Sequence, residues 1–285
     1  VTEANAEQPA ERSASATALG VATLRAAHLL LDDPPPILDD QIAIRLLDPG
    51  AADRIREHAD AFRTPGSLGL RSHVVGRSRH AEDRLQQAVA RGVRQALILG
   101  AGLDTFAYRQ PAWARELWIF ELDHPASQSA KRARLEAAGI GIPSNVAFVA
   151  VNLDADPLIE TLVSAGFDAS APSFISCLGV LPYLDPATVE RVFRLAAALP
   201  PSSEMVATFA RPAIPGFDHL AEGAAKLGEP WRTRFEPGDL KRRLSALGFS
   251  SVSFLLPEEA QARYFRDRRD GLRATRRINT IIAVV

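Results

Sequence analysis

Short apolar runs alternate with amphipathic stretches from residue 95 onward. The runs at 96–99, 117–122, 146–151, 174–177 and 204–209 have strand length and are bounded by glycine, proline or polar residues. Helical spacing fills the gaps at 125–138, 157–165 and 186–199, each opened by a proline at the tolerated first position. Strands alternating with helices predict a doubly wound, mostly parallel sheet. Two further runs, 251–255 and 278–285, bring the strand count to seven and read as a late edge hairpin.

Before residue 93 the pattern is different. Helical stretches are predicted at 15–31, 37–47, 51–62 and 73–91, separated by Asp32-Asp33-Pro34-Pro35-Pro36, Asp48-Pro49-Gly50 and Thr64-Pro65-Gly66, with Gly92 as a cap. The chain therefore divides into a polar tail at 1–15 that reads as disordered, a helical cap at 16–92 and an α/β core at 93–285. An insertion at 211–248 is longer than the usual connection, contains a predicted helix at 237–247 and falls near the carboxyl edge of the sheet.

Composition narrows the classes. With 33 Lys and Arg against 34 Asp and Glu, the formal net charge is -1, which gives no electrostatic case for nucleic acid or an anionic membrane. A single cysteine, Cys177, excludes an internal disulfide. No apolar stretch has the length of a membrane span, and residues 1–15 lack a signal-peptide pattern, so a cytoplasmic location is expected. The six histidines form no ligand pair, so no metal is expected. The basic stretch at 262–277 is interleaved with Asp267 and Asp270 and reads as a solvated face or lid.

The candidate chemistry centres on QALILGAGLDTFAYR, residues 95–109. The first strand runs into Gly100-Ala101-Gly102, a turn on which a ligand could approach the backbone. A helix start is expected at Leu103-Asp104-Thr105, with free amides facing a polar group. Asp123 follows the second strand about 20 residues later, the place from which a carboxylate takes both hydroxyls of a ribose. The dinucleotide fingerprint is incomplete because its last glycine would fall at Thr105, so a nicotinamide oxidoreductase fits less well than another ribose-containing cofactor. Asn152-Leu153 after the third strand suits an adenine edge and face, or equally a loop turn. Arg77, before the first strand, could clamp a carboxylate, or could belong to a solvated face with Arg79 and Arg84. Tyr183 and His219 are candidates for the lining of an acceptor pocket; no catalytic acid or base is evident.

Four segments in order carry a resemblance: GVRQALILGAGLDTFAYR, FELDHPASQSAKRARL, VAVNLD and SCLGVLPYL. From about Thr17 to the YFRDRRDGLR stretch, the chain resembles the leucine carboxyl methyltransferase-like family of S-adenosylmethionine-dependent methyltransferases. More narrowly it looks like the bacterial O-methyltransferase branch that includes polyketide-tailoring enzymes. The resemblance implies a class I, Rossmann-like, seven-stranded methyltransferase fold with a helical N-terminal cap and a lid insertion. It implies that S-adenosylmethionine is the cofactor and a small molecule the methyl acceptor. It further implies that Arg77 holds the cofactor's carboxylate, that Gly100, Ala101 and Gly102 pass beneath it, and that Asp123 holds its ribose. Asn152 and Leu153 would then meet the adenine. Asn152 stands where relatives have an aspartate and Leu178 where they often have a glutamate, so both positions depart from the family pattern. A protein that keeps the cofactor site without transferring methyl groups remains a further alternative.

Overall fold

The computed structural model describes residues 16–213 and 219–285; the predicted tail at 1–15 lies outside the described residues. Seven strands form one sheet: β1 (Gln95–Leu99), β2 (Trp118–Asp123), β3 (Val146–Ala150), β4 (Ser173–Cys177), β5 (Glu204–Thr208), β6 (Ser251–Phe254) and β7 (Thr280–Val284). The order is β3-β2-β1-β4-β5-β7-β6, parallel from β3 through β5, with β7 antiparallel to both its neighbours. The expected edge hairpin is thus corrected. β7 inserts between β5 and β6, and 255–279 is a long excursion containing an α-helix, not a tight turn.

Strand alternation sorts the core. Leu97 and Leu99 of β1 face the same apolar layer as Phe120, Ile175 and Phe193, while Ala96 and Ile98 face Ala81, Leu85 and Ala88. The second set belongs to α5 (Pro65–Ala90), a 26-residue helix lying along one face of the sheet. Its start corrects the reading of Thr64-Pro65-Gly66 as a stop. Thr64 is the N-cap, its Oγ1 accepting from the Ser67 amide at 3.3 Å, and Pro65 occupies the first turn. On the other face pack α7 (Leu158–Ser164), α8 (Pro186–Ala197) and α10 (Pro237–Ala246); the buried Leu240 and Leu244 make α10 part of the core layer.

The remaining cap helices are α1 (Ala16–Leu31), α2 (Gln41–Arg45), α3 (Ala51–Glu57) and α4 (Ala59–Phe62). A break at His58 separates α3 from α4 where one helix was expected. After β1 no α-helix forms, contrary to expectation. Asp104 Oδ1 accepts from the Phe106 amide at 2.9 Å, and Pro111 follows too soon for a second helical turn. Two 3-10 turns (Phe106–Tyr108 and Ala112–Ala114) carry the chain to β2 instead. Beyond β2 the chain forms α6 (Pro125–Ala137); α9 (His219–Lys226) and α11 (Pro257–Tyr264) are additions that the sequence pattern did not predict.

The basic stretch at 262–277 keeps the expected solvated face, with Arg266, Arg269, Arg273 and Arg276 exposed, but its other side is anchored. Phe265 and Leu272 are buried with Ile37, Leu38 and Val75. Arg268 donates to the Pro35 carbonyl at 2.9 Å and the Asp33 carbonyl at 2.6 Å while paired with Asp270. The segment therefore ties the cap to the C-terminal part of the sheet. Its Phe265 ring presses on α5 at Gly76, where a Cβ would fall 3.2 Å from the ring.

Candidate functional site

Register brings the site together. Leu99 pairs with Leu122, so the glycine turn after β1 lies beside the end of β2; Ile98 pairs with Ser176, so the turn also lies beside the segment leaving β4. Strand order reverses between β1 and β4, the switch point where open α/β sheets bind ligands. A cavity of about 560 Å³ opens there. It is walled by the ends of β1, β2 and β4, roofed by α1 and flanked by α5, with 227–232 of the insertion at its rim.

Seven of the predicted residues share this cavity: Arg77, Gly100, Ala101, Gly102, Asp123, Leu178 and Tyr183. Asn152 and Leu153 are not among its lining residues. Asn152 is exposed and folds back into a turn, its Oδ1 accepting from the Asp154 amide at 3.1 Å and its own amide donating to Asp156 at 2.7 Å. Leu153 packs on the core. The turn instead brings Asp154 to the cavity, with Oδ1 accepting from the Thr188 hydroxyl at 2.6 Å. His219 opens α9, and its side chain lies outside the described residues.

The glycine turn is held from two sides. The Ala101 amide donates to the Leu122 carbonyl at 3.1 Å, and the Gly102 amide to Asp123 Oδ2 at 2.5 Å. Asp123 Oδ1 accepts from the His124 amide at 2.7 Å. Each oxygen keeps a second lone-pair site, so the carboxylate is fixed in position yet can still accept a diol. Gly100 has φ +61°, and a Cβ there would fall 2.5 Å from Val180. Its glycine is needed for the close seating of Val180 as well as for the turn, a packing role that the spacing alone did not reveal.

Arg77 lies on α5 with its guanidinium over Gly179, where a Cβ would come within 2.8 Å of Nη2. Its Nη1 faces His73 Nε2 at 3.4 Å, and its buried Nε has no hydrogen-bond partner. Among the described residues Arg77 makes no ion pair. Burial lowers its pKa to about 10, against the opposing pull of Tyr183 and Asp104. Burial and the neighbouring Arg77 hold His73 neutral, pushed down to about 3. An unpaired, partly desolvated guanidinium on a cavity wall is suited to a ligand carboxylate.

Behind the turn, a polar network ties cap to core. Asp40, fully buried, accepts from the Thr105 hydroxyl at 2.7 Å and pairs with Arg25 at 3.3 Å and Arg109 at 3.4 Å. Arg25 also donates to the Leu103 carbonyl, and Arg109 forms a two-pronged pair with Glu82. Sequence reasoning missed Arg25, Asp104, Val180 and the rim residues as parts of the site. Asp104 had a signal, an acid two residues past a glycine turn; Arg25 had none, because only tertiary packing brings α1 over the turn.

Comparisons with known proteins give the chain's family and fold. The family model described as leucine carboxyl methyltransferase matches residues 18–197. A Bacillus subtilis (strain 168) protein named as an S-adenosyl-L-methionine-dependent methyltransferase, YktD, is 28% identical, over 96% of this chain and 99% of its own. A Mycolicibacterium gilvum (strain PYR-GCK) protein named for the same activity is 30% identical over 92% of this chain and 86% of its own. Among solved structures, one from Thermobifida fusca YX named as a methyltransferase superposes with a TM-score of 0.54 at 20% identity. It covers 92% of this chain and 93% of that one, and the likeness is one of fold.

Proposed function

The chain belongs to the leucine carboxyl methyltransferase family and is an S-adenosylmethionine-dependent methyltransferase; from that premise we propose that it methylates oxygen, on a carboxylate or acidic phenol of a small molecule, with polyketide-type metabolites in range. The observation that carries the assignment of the site is the convergence of Arg77, the glycine turn and Asp123 on one cavity. The chemistry of these groups fits the cofactor. Arg77 has an unpartnered Nε and no carboxylate of its own, and Asp123 keeps acceptor capacity for a ribose diol.

When bound, S-adenosylmethionine supplies a methyl group already activated on a positively charged sulfur. What the chain must add is position. Arg77 would anchor the methionine carboxylate, Asp123 the ribose, and the fixed turn between them the span of the molecule. The acceptor would enter past 227–232 and be lined up by Tyr183 and Leu184. α1 over the turn would keep water from the reacting atoms.

The imidazole lining the cavity speaks for an acceptor that needs little help in losing a proton. His124 Nδ1 accepts from the Ala126 amide at 3.3 Å, which leaves the proton of the neutral ring on Nε2. Such a ring offers no lone pair to an acceptor hydroxyl. A carboxylate is already ionised at neutral pH, and an acidic phenol is partly so.

Calorimetry against S-adenosylmethionine and NAD tests the cofactor; binding of NAD alone would overturn the assignment. Transfer of a labelled methyl group to a panel of aryl and alkyl carboxylates, phenols, amines and thiols tests the acceptor class. Label in base-labile ester or in aryl ether is expected; label only on nitrogen or sulfur would refute the oxygen reading.

A further inference from the structure

The charged groups lining the cavity can be sorted by what already holds them. Arg25 is tied to Asp40, Asp123 to two backbone amides, and Asp154 to Thr188. Glu229 and Arg232 belong to the rim. Two charges of opposite sign remain, Arg77 on α5 and Asp104 just past the glycine turn. Both line the cavity, as do Ser78 and Leu178. Among the described residues neither makes an ion pair, with the other or with any other side chain.

Asp104 is held in place by the chain itself. Its amide donates to the Ala101 carbonyl at 2.6 Å, and Oδ1 accepts from the Phe106 amide at 2.9 Å. That leaves Oδ2 without a hydrogen-bond partner among the described residues. Arg77 is held by α5 and by its seat over Gly179. Two fixed, opposite charges on one cavity wall that do not close on each other form a slot for a group carrying both complementary charges.

We infer that Asp104 binds the α-ammonium group of the cofactor's methionine moiety, so that Arg77 and Asp104 together recognise a zwitterion. The inference rests on the S-adenosylmethionine reading above. It gives Asp104 a role separate from Asp123: one acid reads the amino-acid end, the other the ribose. It also explains why a single cation can stand unpaired on this wall, since the ligand brings both counter-charges.

The experiment is a ligand-by-variant cycle read by calorimetry. The ligands are S-adenosylhomocysteine and its analogue lacking the α-amino group; the proteins are the full chain and Asp104→Asn. The asparagine keeps an oxygen for the Phe106 amide, so the turn is retained, and thermal melting checks this. The full chain should bind the deaminated analogue roughly 10- to 100-fold more weakly than S-adenosylhomocysteine, the range of a charge-assisted hydrogen bond. In Asp104→Asn, S-adenosylhomocysteine should fall by that factor while the deaminated analogue stays within about twofold. Equal weakening of both ligands would overturn the inference and make Asp104 a prop of the turn. Failure of the unaltered chain to bind S-adenosylhomocysteine would instead overturn the cofactor reading itself, a distinguishable result.

Discussion

At its inner end the cavity is walled by the ends of β1, β2 and β4, where Asp123 and Asp104 are fixed by backbone hydrogen bonds, Arg25 by a buried network and Arg77 by its seat over Gly179. At its rim the wall is the 227–232 segment, where Leu227 is 56% exposed and Arg232 is an exposed cation. The rim is anchored through its main chain: the Arg232 and Thr233 amides donate to the Pro182 carbonyl at 2.7 and 3.2 Å. The inner end thus fixes side chains, and the rim fixes a backbone while leaving Leu227 and Arg232 exposed. A cofactor shared by many enzymes needs the first arrangement; an acceptor that differs from one enzyme to the next needs the second.

Four experiments put pressure on that contrast. Arg77→Met should have the largest effect, because it removes a partly desolvated charge from the wall. Affinity for S-adenosylhomocysteine should fall by about 3 kcal/mol in calorimetry, more than a hundredfold. A loss no greater than that of a rim variant would break the comparison.

Gly100→Ala should destabilise the fold by about 2 kcal/mol in denaturant unfolding, from its positive φ and the contact with Val180. Adding Val180→Ala should recover part of that loss, the steric part, and leave the backbone part.

Acid comes next. His73 binds its proton only near pH 3 in the folded chain but near 6.5 when unfolded, so between these values the unfolded state holds more protons. Stability is therefore complete above about 6.5 and falls as pH drops toward 3, with His73 accounting for roughly 2 kcal/mol between pH 7 and 5. His73→Gln should flatten the unfolding-versus-pH curve by that amount, while the lowered pKa of His80 keeps a residual slope.

The smallest effect belongs to the rim. Leu227→Ala should change affinity for S-adenosylhomocysteine by less than about twofold, within the ±0.5 kcal/mol usual for surface substitutions, yet raise KM for the acceptor.

The sequence was most informative where physics is local. An apolar run, two glycines and a second run ending in an acid need only parallel register to place Gly102 beside Asp123, and the 2.5 Å hydrogen bond between them follows. Asn152 was ambiguous because its role depends on which way the chain leaves β3. An asparagine that can reach a base can equally close a turn on Asp154. Thr64-Pro65-Gly66 misled for a related reason: threonine and proline that seem to end one helix are also the cap and first turn of the next. Arg25 and the roof formed by α1 lay beyond local reading, since residues far apart in the chain meet there only after the cap has packed.

The contact of Phe265 with Gly76 has a consequence for biosynthesis. The residue next to Gly76 is Arg77, while the ring that presses on that turn of α5 is made long after it, beyond β1 to β6. β7, which lies inside the sheet between β5 and β6, is later still. A growing chain on the ribosome can thus assemble β1 to β5 and their helices and still lack the wall behind its arginine. The cofactor can be held in full only once Phe265 and β7 have emerged and packed, so binding competence is acquired later than the cavity's own strands and turns are made.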